Sequence, residues 1–270
     1  MNMRNKILFS IFTLCFVITA VGQDALNKRD SIDTARIIKK VSENEAAFRQ
    51  SLTTYVFNRD VSLSILGLGG QVAGQYTRNS LMTLTPDGTR LEKILYAPVA
   101  TIPPGFITAE DLEDLGGVNP FAIEPSAVPL YNFTYIGTEK IDELSLYVFE
   151  VTPKVIPDPK KSKQRLFTGR IWVDVDDLLI VKSKGKGVPE TKKNKFPVVE
   201  STRQNVDGKY WFPWDVRSDD ELVFDDGNVI KLRIRVKYNN YRLGRSEVRI
   251  LDDEEIVPSP TPTPKPTPSY

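Results

Sequence analysis

The spacing of apolar residues changes character early in this chain. From Ser31 to Ser51, Ile32, Ala35, Ile38, Val41, Ala46 and Phe48 recur at close to helical spacing with Lys, Arg and Glu between them, which predicts one amphipathic helix. From Tyr55 the period becomes two. Tyr55, Phe57, Val61, Leu63 and Ile65 fall on one face of a strand that runs into Gly67-Leu68-Gly69-Gly70. This glycine run lacks the Lys and Ser/Thr of a phosphate loop, so it reads as a hairpin turn. A second hairpin is signalled by Pro86-Asp87-Gly88 between Leu81–Thr85 and Arg90–Ala97. Residues 98–130 then hold six prolines and no continuous strand pattern; a short helix is predicted from Thr108, ending near Gly116, in an excursion long enough for a lid.

Beyond that excursion the alternation predicts strands at Tyr131–Glu139, Leu144–Pro153, Arg165–Val175, Leu178–Gly185, Phe196–Val206, Tyr210–Arg217 and Val229–Tyr241. Tyr147, Phe149 and Val151 share one side; in the last strand Leu232, Ile234, Val236 and Tyr238 alternate with Lys231, Arg233, Arg235 and Lys237. Turn signals at Asp174–Asp177, Asp207-Gly208 and Asp225–Asn228 make neighbours antiparallel. A sheet of about 9–11 strands with one apolar face must curl around that face or be capped. The expected fold is therefore α+β and β-rich, a curved antiparallel half-barrel whose concave face is covered by helices.

The two ends read differently. Arg4 and Lys6 precede the uncharged run Ile7–Val21, and Ala20-Val21-Gly22 places small residues before Gln23, so residues 1–22 read as a signal peptide cleaved after Gly22, with a periplasmic destination and, as a further option, membrane association. The only cysteine, Cys15, lies inside that run, so the mature chain would have no disulfide, thiol catalysis or cysteine metal site. Residues 257–270 alternate Pro with Ser, Thr and Lys, which predicts an extended, disordered tail. Residues 23–256 remain as a single domain.

Composition narrows the chemistry. With no histidine, Ser-His-Asp and Cys-His catalysis are excluded, and a net charge of +1 offers no general attraction to nucleic acid. The acidic clusters at Asp174, Asp176 and Asp177 and at Asp219–Glu221 with Asp225 and Asp226 lack calcium-loop spacing; turn formation accounts for them. A basic series, Lys160, Lys161, Lys163, Arg165, Lys182, Lys184, Lys186, Lys192, Lys193 and Lys195, is expected on or beside turns, either as solvated loops or as a rim that meets anionic headgroups. No enzyme activity and no cofactor are expected.

Several strings carry a family resemblance: Leu130-Tyr131-Asn132-Phe133-Thr134-Tyr135-Ile136-Gly137, Phe167-Thr168-Gly169-Arg170-Ile171-Trp172-Val173-Asp174, Ile180-Val181-Lys182 and Gly208-Lys209-Tyr210-Trp211-Phe212-Pro213. Over residues 31–245 the chain resembles the LolA/LolB lipoprotein-carrier superfamily, and within it the outer-membrane lipoprotein-sorting proteins. The resemblance implies a periplasmic, non-enzymatic carrier that holds a lipid, or the acyl chains of a lipoprotein, between a concave sheet face and its lid. Such a monomer would exchange cargo with a membrane-protein donor or acceptor. From the strand pattern, Phe133, Tyr135, Tyr147, Phe149, Phe167, Ile171, Val173, Trp211 and Trp214 are the candidates for the concave face and rim; ordinary packing against the first helix is the other reading of each. Trp172 falls on the opposite parity, beside Arg170, where exposure would make it a partner surface. The alternative function is a structural or sensory envelope protein with a filled concavity, acting through its outer surface or its proline-rich tail.

Overall fold

The computed structural model describes residues 32–87, 89–102, 123–192 and 194–244. The signal peptide, the proline-rich tail and the helix expected from Thr108 lie outside the described residues. One α-helix, α1 (Thr34–Leu52), precedes ten strands: β1 (Tyr55–Leu66), β2 (Val72–Leu84), β3 (Arg90–Tyr96), β4 (Tyr131–Ile141), β5 (Leu144–Pro153), β6 (Leu166–Asp174), β7 (Ile180–Val188), β8 (Val199–Val206), β9 (Tyr210–Val223) and β10 (Val229–Leu243). A short 3-10 turn, Val128–Leu130, introduces β4.

All ten strands form one open, curved antiparallel sheet in the order β3-β2-β1-β10-β9-β8-β7-β6-β5-β4. Two meanders meet where the last strand pairs with the first, Val61 standing opposite Val236 and Leu63 opposite Ile234. The chain leaves β3 at one edge and re-enters through β4 at the other. Gly70, at φ +78°, closes the β1–β2 hairpin in a conformation that suits glycine, and Gly67 N–H donates to the Gln71 carbonyl at 2.9 Å.

Helix α1 buries Ile37, Ile38, Val41, Phe48 and Leu52, while Ala35 is exposed. Phe48 and Leu52 pack into the main core with Tyr55, Phe57, Val61, Leu63, Met82, Phe212, Val216, Leu232, Ile234, Val236 and Tyr238. Register carries this helix-bearing face across the sheet: Phe149, Ile171, Ser183, Ser201, Val216, Val236, Val61 and Arg78 stand successively opposite one another along a single row. Small residues occupy its middle. A Cβ on Gly185 would lie 2.2 Å from the Phe167 ring, so that ring covers the space glycine leaves.

Three expectations change. Lys182, Lys184 and Lys186 lie inside β7 rather than at turns, facing away from the helix, where Lys182 and Lys184 pair with Glu200 at 3.4 and 3.6 Å and Lys186 with Glu190 at 3.0 Å. Trp172 is on the outer face as its parity implies, but it is 6% exposed and presents no open surface. It joins Leu146, Val148, Val181 and Trp211 in a second, smaller core, donates its indole N–H to Glu139 at 2.8 Å and carries Lys182 over its ring. The sheet is thus not uniformly wet on that side. Finally, β8 begins at Val199 rather than Phe196, consistent with Pro197, which has no N–H to give the ladder.

Candidate functional site

The helix-bearing face contains three zones, each set by strand register. At the β4–β5 edge, Tyr131, Phe133 and Tyr135 stand opposite Pro153, Val151 and Phe149. Their rings form a half-buried array: Tyr135 lies 6.1 Å from Tyr147 and 5.7 Å from Phe149, and Tyr131 lies 6.3 Å from Phe133. Of the candidates read from the sequence, Phe133, Tyr135, Tyr147, Phe149, Phe167, Ile171 and Val173 share this face. Phe149, Ile171 and Val173 are fully buried and Phe167 nearly so.

Two candidates do not belong with them. Trp211 packs in the outer-face cluster with Trp172, because Tyr210 and Phe212 on either side of it turn toward Tyr55 and the helix. Trp214 is 48% exposed beside a register shift between β8 and β9. Trp211 thus follows the alternation of its neighbours, whereas Trp214 falls at the irregularity, where a period-two count along the strand fails.

The second zone lies under α1 and was not among the sequence candidates. Glu45 is fully buried, and Arg203 Nη1 and Nη2 donate to its two carboxylate oxygens at 2.7 and 2.8 Å. The same guanidinium lies 4.6 Å from the centre of the Phe48 ring. A sequence signal existed: Ile38, Val41, Glu45, Phe48 and Leu52 form a continuous stripe on one helix face, so Glu45 occupies an apolar position. Two-point pairing satisfies both charges where water is excluded. Asn44 adds a tie from the helix to the β6–β7 turn, its side-chain amide donating to the Asp177 and Leu178 carbonyls at 3.0 Å each.

The third zone, on β1–β3, is cationic. Arg59 on β1 is 4% exposed at its side chain, and its Nη2 lies 3.7 Å from Glu92 on β3. Arg78 on β2 donates to Glu92 at 2.9 Å, and Ser80 adds a hydroxyl donor to the same carboxylate. Burial would raise the Glu92 carboxyl, but the Ser80 hydroxyl and then Arg59, Arg78 and Arg90 outweigh it and hold the group below its usual range. Burial works in the opposite sense on Arg59, lowering its proton affinity, with Tyr238 and Glu92 partly compensating. Tyr238, opposite Arg59 on β10, is pushed up to about 12 by burial, although Arg59 and Arg90 pull the other way.

The acidic clusters resolve into structural partners. Asp174 accepts the backbone N–H groups of Asp176 and Asp177 at 2.9 and 2.8 Å, and Asp219 accepts from Arg233 and Arg235. Asp220 accepts the Val198 N–H, and Asp225 pairs with Lys195.

No family model and no curated protein matches the chain. Among solved structures it is similar to a DUF1329 family protein from Desulfovibrio piger, at 13% identity and a TM-score of 0.37 over 78% of this chain and 94% of that one. It is similar also to a LolA superfamily protein from Nitrosomonas europaea, at 14% and 0.35 over 83% and 99%. A domain from Vibrio parahaemolyticus described as outer membrane lipoprotein-sorting matches at 13% and 0.36 over 80% and 94%.

Proposed function

We propose that this is a non-enzymatic binding protein of the periplasm that holds an apolar ligand, the acyl chains of a lipid or lipoprotein, against the helix-bearing face of its sheet. The observation that carries this reading is the half-buried aromatic array of Tyr131, Phe133, Tyr135 and Tyr147 at the β4–β5 edge. Helix α1, about 29 Å long, lies against β4 and β9, and ten strands at roughly 4.8 Å spacing would extend about 43 Å, so α1 alone spans only part of the face. Each acyl methylene withdrawn from water contributes about 0.8 kcal/mol, which makes a modest apolar strip sufficient for a long chain. Delivery to or from a membrane protein would follow from movement of whatever covers the strip.

A second reading has its own support. Phe149, Ile171 and Val173 are 0% exposed, so the centre of the candidate strip is occupied by its neighbours. An envelope interaction protein with a filled core would look like this, and would work through its outer surface or its tail.

Native mass spectrometry with lipid extraction, on the mature chain recovered from a bacterial periplasm, separates the two. The carrier reading expects a stoichiometric lipid or acylated-peptide adduct that disappears in Phe133→Asp while the circular dichroism spectrum is retained. An unliganded mass, persisting after incubation with lipids and lipoproteins, would leave the interaction reading.

A further inference from the structure

The β1–β3 zone holds buried guanidinium donors that have no acceptor among the described residues. Among the described residues, Glu92 is the carboxylate that Arg59 and Arg78 approach, at 3.7 and 2.9 Å, and Arg90 acts on the same group. Arg59 is 3% exposed, yet among the described residues its Nε and Nη1 have no acceptor, and the Arg78 Nε has none either. Leaving a charged donor buried without an acceptor is costly, and a fold gains nothing from it unless something else supplies the acceptor. Arg203 on the same face shows what a purely structural buried arginine looks like here, with a carboxylate across its fork.

The surroundings say what kind of acceptor fits. Leu84 and Ile102 border this zone as partly buried apolar groups, with the Tyr76 ring beside them and its hydroxyl at Arg78, so an incoming group meets cations and hydrocarbon together. Arg78 is 27% exposed at its side chain, which leaves an approach from solvent. Guanidinium groups match phosphate and carboxylate oxygens in shape and charge.

We propose that Arg59, together with Arg78 and Arg90, forms a site for an anionic oxyanion group, a phosphate or carboxylate, carried by an amphiphile whose apolar part rests on the adjoining face. The apolar half of this statement rests on the binding function proposed above; the anion half is measured separately. Arg59 supplies the buried donors, and Arg78 bridges the new anion and Glu92. Glu92 keeps its contacts to Arg78 and Ser80 whether or not Arg59 is engaged.

The test is calorimetric titration of the full mature chain with three probes: dioctanoyl phosphatidic acid below its micelle concentration, dioctanoylglycerol, and inorganic phosphate. The expected result is that phosphatidic acid binds at least about tenfold tighter than dioctanoylglycerol, that Arg59→Met removes this preference, and that Arg78→Gln weakens it. If inorganic phosphate binds as tightly as phosphatidic acid and with the same dependence on Arg59, the oxyanion site stands and its source is a free anion, while the acyl-carrier function falls. Equal binding of the two lipids, unchanged in Arg59→Met, overturns the anion site and leaves the carrier function. Binding of none of the three overturns both. Melting curves provide the control: Arg59→Met retains or raises Tm if the arginine serves a ligand, whereas a structural arginine would lower it.

Discussion

Arg203 and Arg59 lie on the same face of the same sheet, are both nearly inaccessible to water, and are built into opposite circumstances. Arg203 meets the helix carboxylate of Glu45 through two hydrogen bonds and stacks over Phe48, so its desolvation is offset by geometry. Arg59 has only a 3.7 Å approach to Glu92, a carboxylate already engaged by Arg78 and Ser80. The difference lies in what covers each region. Over β8 and β9 a helix brings its own acid to the sheet; over β1–β3 no described helix brings one. A buried charge with its full set of partners ties α1 to the sheet, and one without them marks the place where a partner from outside fits.

The largest effect expected from this contrast is at the paired arginine. Arg203→Ala leaves Glu45 buried and uncompensated and is expected to cost about 3–5 kcal/mol in urea unfolding, whereas Glu45→Leu combined with Arg203→Met restores most of that loss. If the single variant is neutral, the pair does not hold the helix. At the underpaired end, Glu92→Gln weakens charge-assisted contacts from Arg78 and Ser80, with an expected loss of about 1.5–3 kcal/mol near neutral pH. The sign with pH follows from its depressed carboxyl. Glu92 contributes its full stabilisation above the ordinary carboxyl value of 4.5 and loses it as pH falls through the lower folded value, so Tm of the native chain drops on that acid limb more steeply than Tm of the variant. Parallel acid limbs would remove Glu92 from this account.

Packing on β6 and β7, beyond the Arg203 zone from β1–β3, gives the next effect. Gly185→Ala forces a methyl against the Phe167 ring and the Thr168 carbonyl, at 2.2 and 2.3 Å, and is expected to cost about 1–3 kcal/mol, with Phe167→Leu relieving part of it. The smallest effect lies on the outer face. Lys182→Ala removes a cation 4.9 Å from the Trp172 ring and one partner of Glu200, for about 0.5–1 kcal/mol that diminishes in salt. A loss as large as that of Arg203→Ala would show that the outer cluster, not the helix-bearing face, organises the sheet.

Much of the architecture was legible because it is local. Period-two alternation placed Phe149, Ile171 and Val173 on one side and Trp172 on the other, and Gly70 and Pro86-Asp87 marked turns where hairpins form. Trp214 falls where the β8–β9 pairing shifts register between Thr202 and Arg203, which a count along one strand cannot detect, whereas Trp211 faces outward by the plain alternation with Tyr210 and Phe212. Glu45 was legible in principle from its place in the helix stripe, but its partner is 158 residues away in the chain.

What the sequence determined by itself is the set of elements and the two faces of each strand, since helix and strand periods depend on residues within a few positions of one another. The tertiary structure decided that β10 pairs with β1, bringing Tyr238 opposite Arg59. It also placed Arg203 beneath α1 and assigned Glu92 to Arg78 and Ser80 rather than to Arg59 alone. Those outcomes depend on which edges meet and which charges are desolvated together. Both are properties of the assembled sheet, in which a side chain's cost is set by neighbours that are distant in sequence.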